Sequence, residues 1–350
     1  MRLPLIAILM TGACMADVGG GPGDRAPDDD ITTRCAEKDA KAITESIRIA
    51  SEDDFDQVPK GCWTLHGKLT LDGAGITSLE RLDRLVAVTD LELKNTGLME
   101  IDTVNPLRVY GSVVLTNNDQ LEDLSRLDVV TDDAVRNIKM TITGNSQLTS
   151  LDFLDSIERI DQGFVVTGNP KLASAALSSL IKVGGEIRIG DNAALKDIDL
   201  PSLESIGDGL EISNNEVLTT VRGMPLREMV GNVTIRNNRV LATLGAMSKL
   251  ARLDGSAVFD DNDALTSITM FPAGMGWITG SLTITNNAKL TSLGAIPQLG
   301  IGISGSVIIT HNPQLSSCVA KQVDDCVNTG NVTINNNYEV ATCPASSCPN

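Results

Sequence analysis

Aromatic residues and histidine are scarce in this chain. Phenylalanine, tyrosine and tryptophan together make up 3% of the residues, and the two histidines are His66 and His311. So few rings do not support an extended surface for stacking sugars. The histidines would lie near opposite ends of the stacked repeats described below, so they cannot share a site. No Ser-His-acid set, metal-ligand cluster or phosphate-binding glycine loop is present. We therefore expect no cofactor and no metal site.

Positive charge is also in short supply. Lysine and arginine number 28 against 45 aspartates and glutamates, which gives a net charge of −17. Nucleic acids and anionic membrane surfaces would be repelled, so we exclude both as partners. A basic ligand or divalent cations would be attracted, although a plain soluble surface explains the same charge.

Asparagine, in contrast, recurs at an almost fixed interval of 23–27 residues. The ten repeating positions are Asn118, Asn145, Asn169, Asn192, Asn215, Asn238, Asn262, Asn287, Asn312 and Asn337. A period of this length is typical of a solenoid, in which each coil buries its apolar face only by stacking on its neighbours.

Apolar residues fall five and three places before each asparagine, as at Val113 and Leu115 or Ile187 and Ile189. This alternation in a β-branched run predicts a short strand with one buried face. Further apolar residues follow three and six places after it, as at Leu121 and Leu124. The pattern predicts a mainly β protein, a parallel β-helix or leucine-rich-repeat-like solenoid of about twelve coils of 22–27 residues. An antiparallel sandwich gives no reason for an asparagine at constant phase.

The asparagines themselves are interpreted as structural. A side-chain amide both donates and accepts, so stacked amides can pair with unpaired backbone groups and with one another. The preceding residue is often Asn, Gly or Asp, which tolerate a left-handed turn. The first two coils differ, with Ala74 and Thr96 at the asparagine phase. A row of ligand-binding amides is the alternative interpretation.

The phrase L-x-I-x-x-N-x-x-L-x-x-L resembles the repeat of the receptor L domain, the right-handed leucine-rich β-helix of insulin and epidermal growth factor receptors. It is also similar to the coils of many bacterial surface lipoproteins. "GCWTLHGKLTL" is similar to an L-domain start, which implies that Cys62 pairs with Cys35. The segment Asn312–Cys318 is similar to an L-domain end. The resemblance covers roughly residues 35–345 and implies a fold more than a ligand.

Cysteine is confined to the ends of the chain. Six cysteines remain when Cys14 is set aside, and they are interpreted as disulfide candidates at the two caps: Cys35, Cys62, Cys318, Cys326, Cys343 and Cys348. Disulfides there would hold the weakest parts of a solenoid. The four C-terminal cysteines allow three connectivities, and a zinc site is the alternative.

The N-terminus has the pattern of an export signal, with one arginine, a short apolar run and small residues before Cys14. "TGAC" resembles the bacterial lipobox, which implies acylation of Cys14. We expect an exported lipoprotein of the bacterial cell envelope, in the outer membrane, attached to the membrane only through its lipid. The predicted segments are a signal peptide at 1–13, the lipidated cysteine and an acidic tether at 14–34, an N-terminal cap at 35–65, the solenoid at 66–317 and a Cys-rich cap at 318–350.

Outward strand positions are mostly threonine, with a charged group at Arg188, Glu211, Arg236 and Asp260. Successive coils would stack the first three about 4.8 Å apart, either as a stabilising charge ladder or as a binding patch. We expect a non-enzymatic recognition, adhesion or structural module that binds a surface protein or glycan through its sheet face. The alternative is a polysaccharide-active β-helix enzyme, which would need clustered carboxylates in a cleft.

Overall fold

A computed structural model describes residues 39–103, 105–130, 135, 137–298, 302–327 and 331–344. All of these residues belong to one compact unit, residues 35–350. Parallel strands stack coil on coil into a mainly β solenoid of about twelve turns, which confirms the predicted fold class. Cys14, Cys35 and Cys348 lie outside the described residues.

The first half of the described chain consists of short strands separated by turns. In chain order they are β1 (Lys41–Ile43), β2 (Ile47–Ile49), β3 (Trp63–Asp72), β4 (Leu85–Lys94), β5 (Leu107–Val109), β6 (Val113–Thr116), β7 (Leu127–Val129), β8 (Met140–Thr143), β9 (Arg159–Ile160), β10 (Phe164–Thr167), β11 (Ser174–Ala176), β12 (Lys182–Val183) and β13 (Ile187–Gly190).

The second half continues the pattern and adds one α-helix, α1 (Ser317–Cys326). Its strands are β14 (Asp197–Asp199), β15 (Ser205–Ile206), β16 (Leu210–Ser213), β17 (Thr220–Val221), β18 (Glu228–Met229), β19 (Val233–Arg236), β20 (Thr243–Leu244), β21 (Arg252–Leu253), β22 (Ala257–Asp260), β23 (Trp277–Ile278), β24 (Leu282–Thr285), β25 (Gly302–Ile303), β26 (Val307–Thr310) and β27 (Val332–Asn335). Short 3₁₀ helices occupy Glu52–Gln57, Glu80–Leu82, Asp152–Leu154 and Ile296–Gln298.

One long parallel sheet, here called the main sheet, contains the strand that precedes each ladder asparagine. Its order is β1-β3-β4-β6-β8-β10-β13-β16-β19-β22-β24-β26-β27, with β2, β5 and β7 paired at its side. Three smaller parallel sheets run β11-β14-β17-β20, β18-β15-β12-β9 and β21-β23-β25. Each coil therefore contributes one strand to the main sheet, and the coils between β8 and β26 also contribute shorter strands to the smaller sheets.

The repeat phase sets the register of the main sheet. Phe164 lies opposite Ile187, and Val166 lies opposite Ile189, so residues at the same place in successive coils are paired. The side chains at these two phases are fully buried, for example at Ile187 and Ile189. Because side chains alternate across a strand, the residues between them lie on the opposite face of the sheet.

The main sheet extends into both of the predicted caps. At the N-terminal end β1 and β2 pair with β3, and at the C-terminal end β27 pairs with β26. Helix α1 lies between β26 and β27 in the chain and buries Ala320 and Val323. This helix was not predicted from the sequence, because the prediction relied on the strand repeat and the repeat does not extend through these residues.

Disulfides occur at both ends. Cys318 in α1 is bonded to Cys343 with a Cα–Cα distance of 5.2 Å, which selects one of the three C-terminal connectivities. Cys62 and Cys326 are also disulfide-bonded. The predicted pair Cys35–Cys62 includes a residue outside the described part of the chain, so it stays a prediction. Cys348, the C-terminal cysteine left for Cys326 once Cys318 is bonded to Cys343, also lies outside it.

Candidate recognition surface

The turn that closes each main-sheet strand has a left-handed residue followed by a buried asparagine. Positive φ angles of 49–59° occur one place before the asparagine phase at Asn95, Asn117, Asp191, Asn214, Asn237, Asp261, Asn286, His311 and Asn336, and glycine fills the same place at Gly144 and Gly168. The prediction of a left-handed turn from Asn, Gly and Asp at this phase is confirmed, and His311 is one of these turn residues.

The asparagines form a hydrogen-bonded ladder along the coils. The backbone N of Asn192 donates to Asn215 Oδ1 at 3.2 Å, and Asn192 Nδ2 donates to the same oxygen at 3.4 Å. Asn192 Nδ2 also donates to the carbonyl of Val166 at 3.0 Å. The same contacts to the next asparagine recur from Asn118 to Asn312.

The ladder asparagines are buried, nine of them completely, and Asn337 is 7% exposed. They therefore satisfy polar groups of the coil interior and present no amide to a ligand. At the N-terminal end of the ladder Thr96 takes the asparagine phase, and its backbone N and Oγ1 both donate to Asn118 Oδ1, at 3.1 and 2.8 Å.

The outer face of the main sheet carries paired charges rather than unpaired ones. Glu211 lies opposite Arg188 in register and accepts from Arg236 Nη2 at 2.9 Å, while Arg188 Nε is 3.7 Å from its carboxylate. Arg236 itself lies opposite Ser213, so it reaches Glu211 diagonally and does not stack directly above it. Asp260 accepts from Thr285 Oγ1 at 2.5 Å and from Asn286 Nδ2 at 2.9 Å.

The contacts around Glu211 hold its carboxylate in the ionised form. Burial alone would raise the pKa of Glu211, but hydrogen bonds from Arg236 and Ser213, together with the charge of Arg188, lower it. A second cluster lies near the N-terminal end, where Glu92 is 2.8 Å from Lys68 Nζ and 2.5 Å from Lys94 Nζ. Burial again opposes the shift, yet bonds from Lys68, Lys94 and Thr70 lower the pKa of Glu92 to about 2.

A shallow groove follows the turns beside the main sheet in the four central coils. Its lining residues come from the left-handed position and from the place just after the ladder asparagine: Asp191, Ala193, Asn214, Glu216, Asn237, Arg239 and Asp261. Each left-handed residue comes directly after a main-sheet strand, as Asp191 does after β13. The groove therefore adjoins the face that carries Arg188, Glu211, Arg236 and Asp260.

The sequence reasoning missed this groove. Its residues were visible at two constant phases, one before and one after the asparagine, and Asp261 belongs to an acidic run around Asn262. A repeat pattern gives the phase of a residue but not the depth of the surface.

Other candidate residues do not gather into a site. His66 lies exposed in β3, and His311 Nε2 is 2.8 Å from Asn336 Nδ2 near the other end of the main sheet. Across the described ranges, no group of three or more His, Cys, Asp or Glu side chains could hold a metal ion. No helix in this part of the chain is both long and apolar enough to cross a membrane.

Comparison with known proteins adds no relative: no family model, no curated protein and no solved structure matches the chain. The class of the molecule is therefore defined by its own geometry. It is a parallel β-solenoid with a continuous buried asparagine ladder and a polar groove beside its main sheet.

Proposed function

We propose that this protein is a non-enzymatic recognition module that contacts a partner through the outer face of its main sheet and the turns beside it. The observation that carries this proposal is the fixed pairing of the face charges. Glu211 is held by Arg188 and Arg236, and Glu92 by Lys68 and Lys94. Such a face presents a constant pattern of charge and threonine hydroxyls on a rigid support.

The pKa shifts also favour recognition over catalysis. A general acid in a glycosidase needs a carboxyl group whose pKa is raised towards neutrality by an apolar setting. The pKa values of Glu92 and Glu211 are lowered instead, because cationic side chains stabilise their ionised forms. Neither group suits the transfer of a proton to a leaving group.

A polysaccharide-active enzyme is the second candidate, and the groove is the observation in its favour. Asp191 and Glu216 line it from adjacent coils, and Asp261 lies two coils beyond Glu216. Asp191 and Glu216 are exposed, however, and so lack the apolar surroundings that prepare a general acid. Release of reducing sugars from a polysaccharide, lost in Glu216→Gln, would establish the enzyme and overturn the recognition proposal.

Site-directed photo-crosslinking on intact cells tests the recognition proposal directly. A photoreactive phenylalanine analogue is placed at Thr234 on the main-sheet face, with Glu228→analogue as the matched control. Glu228 belongs to the same coil but lies exposed in β18, which is part of another sheet. We expect one defined crosslinked product from position 234 and none from 228. Equal labelling from both positions, or none from either, would contradict the proposal.

The location at the cell envelope is a further part of the proposal, and the N-terminal sequence supports it. The run of apolar and small residues before Cys14 supports export and acylation of that cysteine, and the Gly-, Pro- and Asp-rich stretch after it supports a flexible tether. The module would then stand at the bacterial cell envelope, held by a lipid, with its solenoid available to a surface protein or glycan.

A further inference from the structure

The groove differs from the neighbouring sheet face in one respect: its charged side chains are not paired with one another. Within the described part of the chain, the side chains of Glu216, Arg239 and Asp261 have no hydrogen-bond or ion-pair partner. Glu216 and Arg239 occupy the same phase of adjacent coils, about 4.8 Å apart along the stack, yet they form no ion pair. These groups are available to an incoming molecule.

The outer row of turn residues is also interrupted in this groove. Asn214 Nδ2 donates to Asp191 Oδ1, and Asn237 Nδ2 donates to Asn214 Oδ1, both at 2.9 Å. The next turn residue is Asp261, whose carboxylate has no hydrogen to donate to Asn237 Oδ1. Two acceptors on successive coils therefore lack a donor among the described residues, and a ligand that brings one would complete the row.

Exposed apolar side chains follow two of the groove residues in the chain. Val217 and Val240 follow Glu216 and Arg239 in the chain, and they are 40% and 42% exposed. They occupy the same phase in adjacent coils, each one place after a groove-lining residue, so they form a small exposed apolar strip next to the groove. The groove itself presents three carboxylates and one guanidinium, and a ligand that extends past its lining would also reach this strip.

We propose that the groove binds an extended protein segment that carries lysine or arginine next to apolar residues. This proposal rests on the recognition function proposed above and names the chemistry of the partner. Basic side chains supply the donors that Asn237 and Asp261 lack, and they complement the excess of carboxylates in the groove and the net charge of −17. Neighbouring apolar side chains cover Val217 and Val240. A neutral glycan satisfies the acceptors through hydroxyl groups but gains nothing from the charge.

Selection from a phage-displayed library of random dodecapeptides tests the proposal, with the complete solenoid as bait. We expect enriched peptides to be cationic and partly apolar, and their binding to weaken as salt is raised. The double variant Glu216→Gln/Asp261→Asn should bind the enriched peptides about tenfold more weakly, since two exposed charge contacts are lost. Val217→Ser/Val240→Ser should weaken binding independently of salt.

The matched control is Asp155→Asn/Glu228→Gln, which changes the net charge equally at exposed carboxylates outside the groove. This control should bind as the unaltered protein does. Loss of fold does not explain weaker binding in the groove variant, because an asparagine at position 261 can donate to Asn237 Oδ1 and should hold or raise the thermal midpoint.

Three outcomes of these binding experiments overturn the proposal. They are enrichment of neutral or acidic peptides, equal binding by the groove variant and the protein itself, and saturable binding of cellohexaose or chitohexaose in place of peptides. The first and third leave the recognition function intact and change only its ligand. A defined photo-crosslink from position 234 without any peptide enrichment would likewise overturn this inference alone.

Discussion

Each ladder asparagine is a residue whose loss would leave other groups without partners. Asn215 Oδ1 accepts from the backbone and side chain of Asn192, and Asn215 Nδ2 donates to the carbonyl of Ile189 at 3.1 Å. Alanine at this position leaves these buried groups without hydrogen-bond partners, and each such group lowers the free energy of unfolding by about 1–3 kcal/mol. We expect Asn215→Ala to lower the free energy of unfolding by about 3 kcal/mol, as measured by urea denaturation.

The neighbouring turn residue provides the control for this prediction. Asn214→Gly removes an amide from the outer row while keeping a residue that tolerates the left-handed backbone, where φ is 58°. It should cost well under half as much as Asn215→Ala. Equal losses in the two variants would show that the buried ladder contributes no more than an ordinary surface amide.

The lowered pKa of Glu92 makes the stability of the fold depend on pH. Its pKa is lowered from 4.5 to about 2 in the folded protein, so its contribution to stability is complete above pH 4.5 and is lost as the pH falls towards 2. We expect Glu92→Gln to be less stable than the unaltered protein at pH 7, by on the order of 2 kcal/mol. The difference should shrink between pH 4.5 and 2 in urea titrations. A difference that stays constant over this range would contradict the assignment.

Among the structural elements, the turns that lead into several of the main-sheet strands depend on close contact between successive coils. A Cβ atom at Gly207 would lie 1.9 Å from the carbonyl oxygen of Gly184 in the preceding coil. We expect Gly207→Ala to lower the free energy of unfolding by about 1–3 kcal/mol, because backbone must shift. Gly75→Ala is the control, since a Cβ there has no neighbour within 4 Å. Matching thermal midpoints for the two variants would refute the close approach.

Among the elements, the sequence predicts those features that depend on a residue's place within the repeat. The main-sheet strands, their buried positions and the left-handed turns all follow from residues at constant distance from an asparagine, as at Ile187, Ile189 and Asp191. Helix α1 lacks that period. The groove requires depth, and the diagonal bond from Arg236 to Glu211 requires side-chain reach, neither of which a repeat pattern contains.

The whole molecule is predicted to be attached to the membrane through a lipid on Cys14. If Cys14 is acylated, Cys14→Ser should move the protein from the membrane fraction to the soluble fraction of the cell envelope. The solenoid should keep its thermal midpoint in this variant, because residue 14 precedes the compact unit that begins at residue 35. Fractionation with immunoblotting measures the first outcome. Retention of Cys14→Ser in the membrane would make the lipid-anchor prediction wrong.

The polarity of the asparagine ladder has a consequence for how such a chain can change in length. Every internal coil accepts hydrogen bonds from the coil before it and donates to the coil after it, and Thr96 closes the N-terminal end. A duplicated coil brings one set of donors and one set of acceptors, so it joins the row without stranding a buried group. The extent of the main sheet is therefore modular: the sheet can grow or shrink by whole coils while the two ends stay as they are.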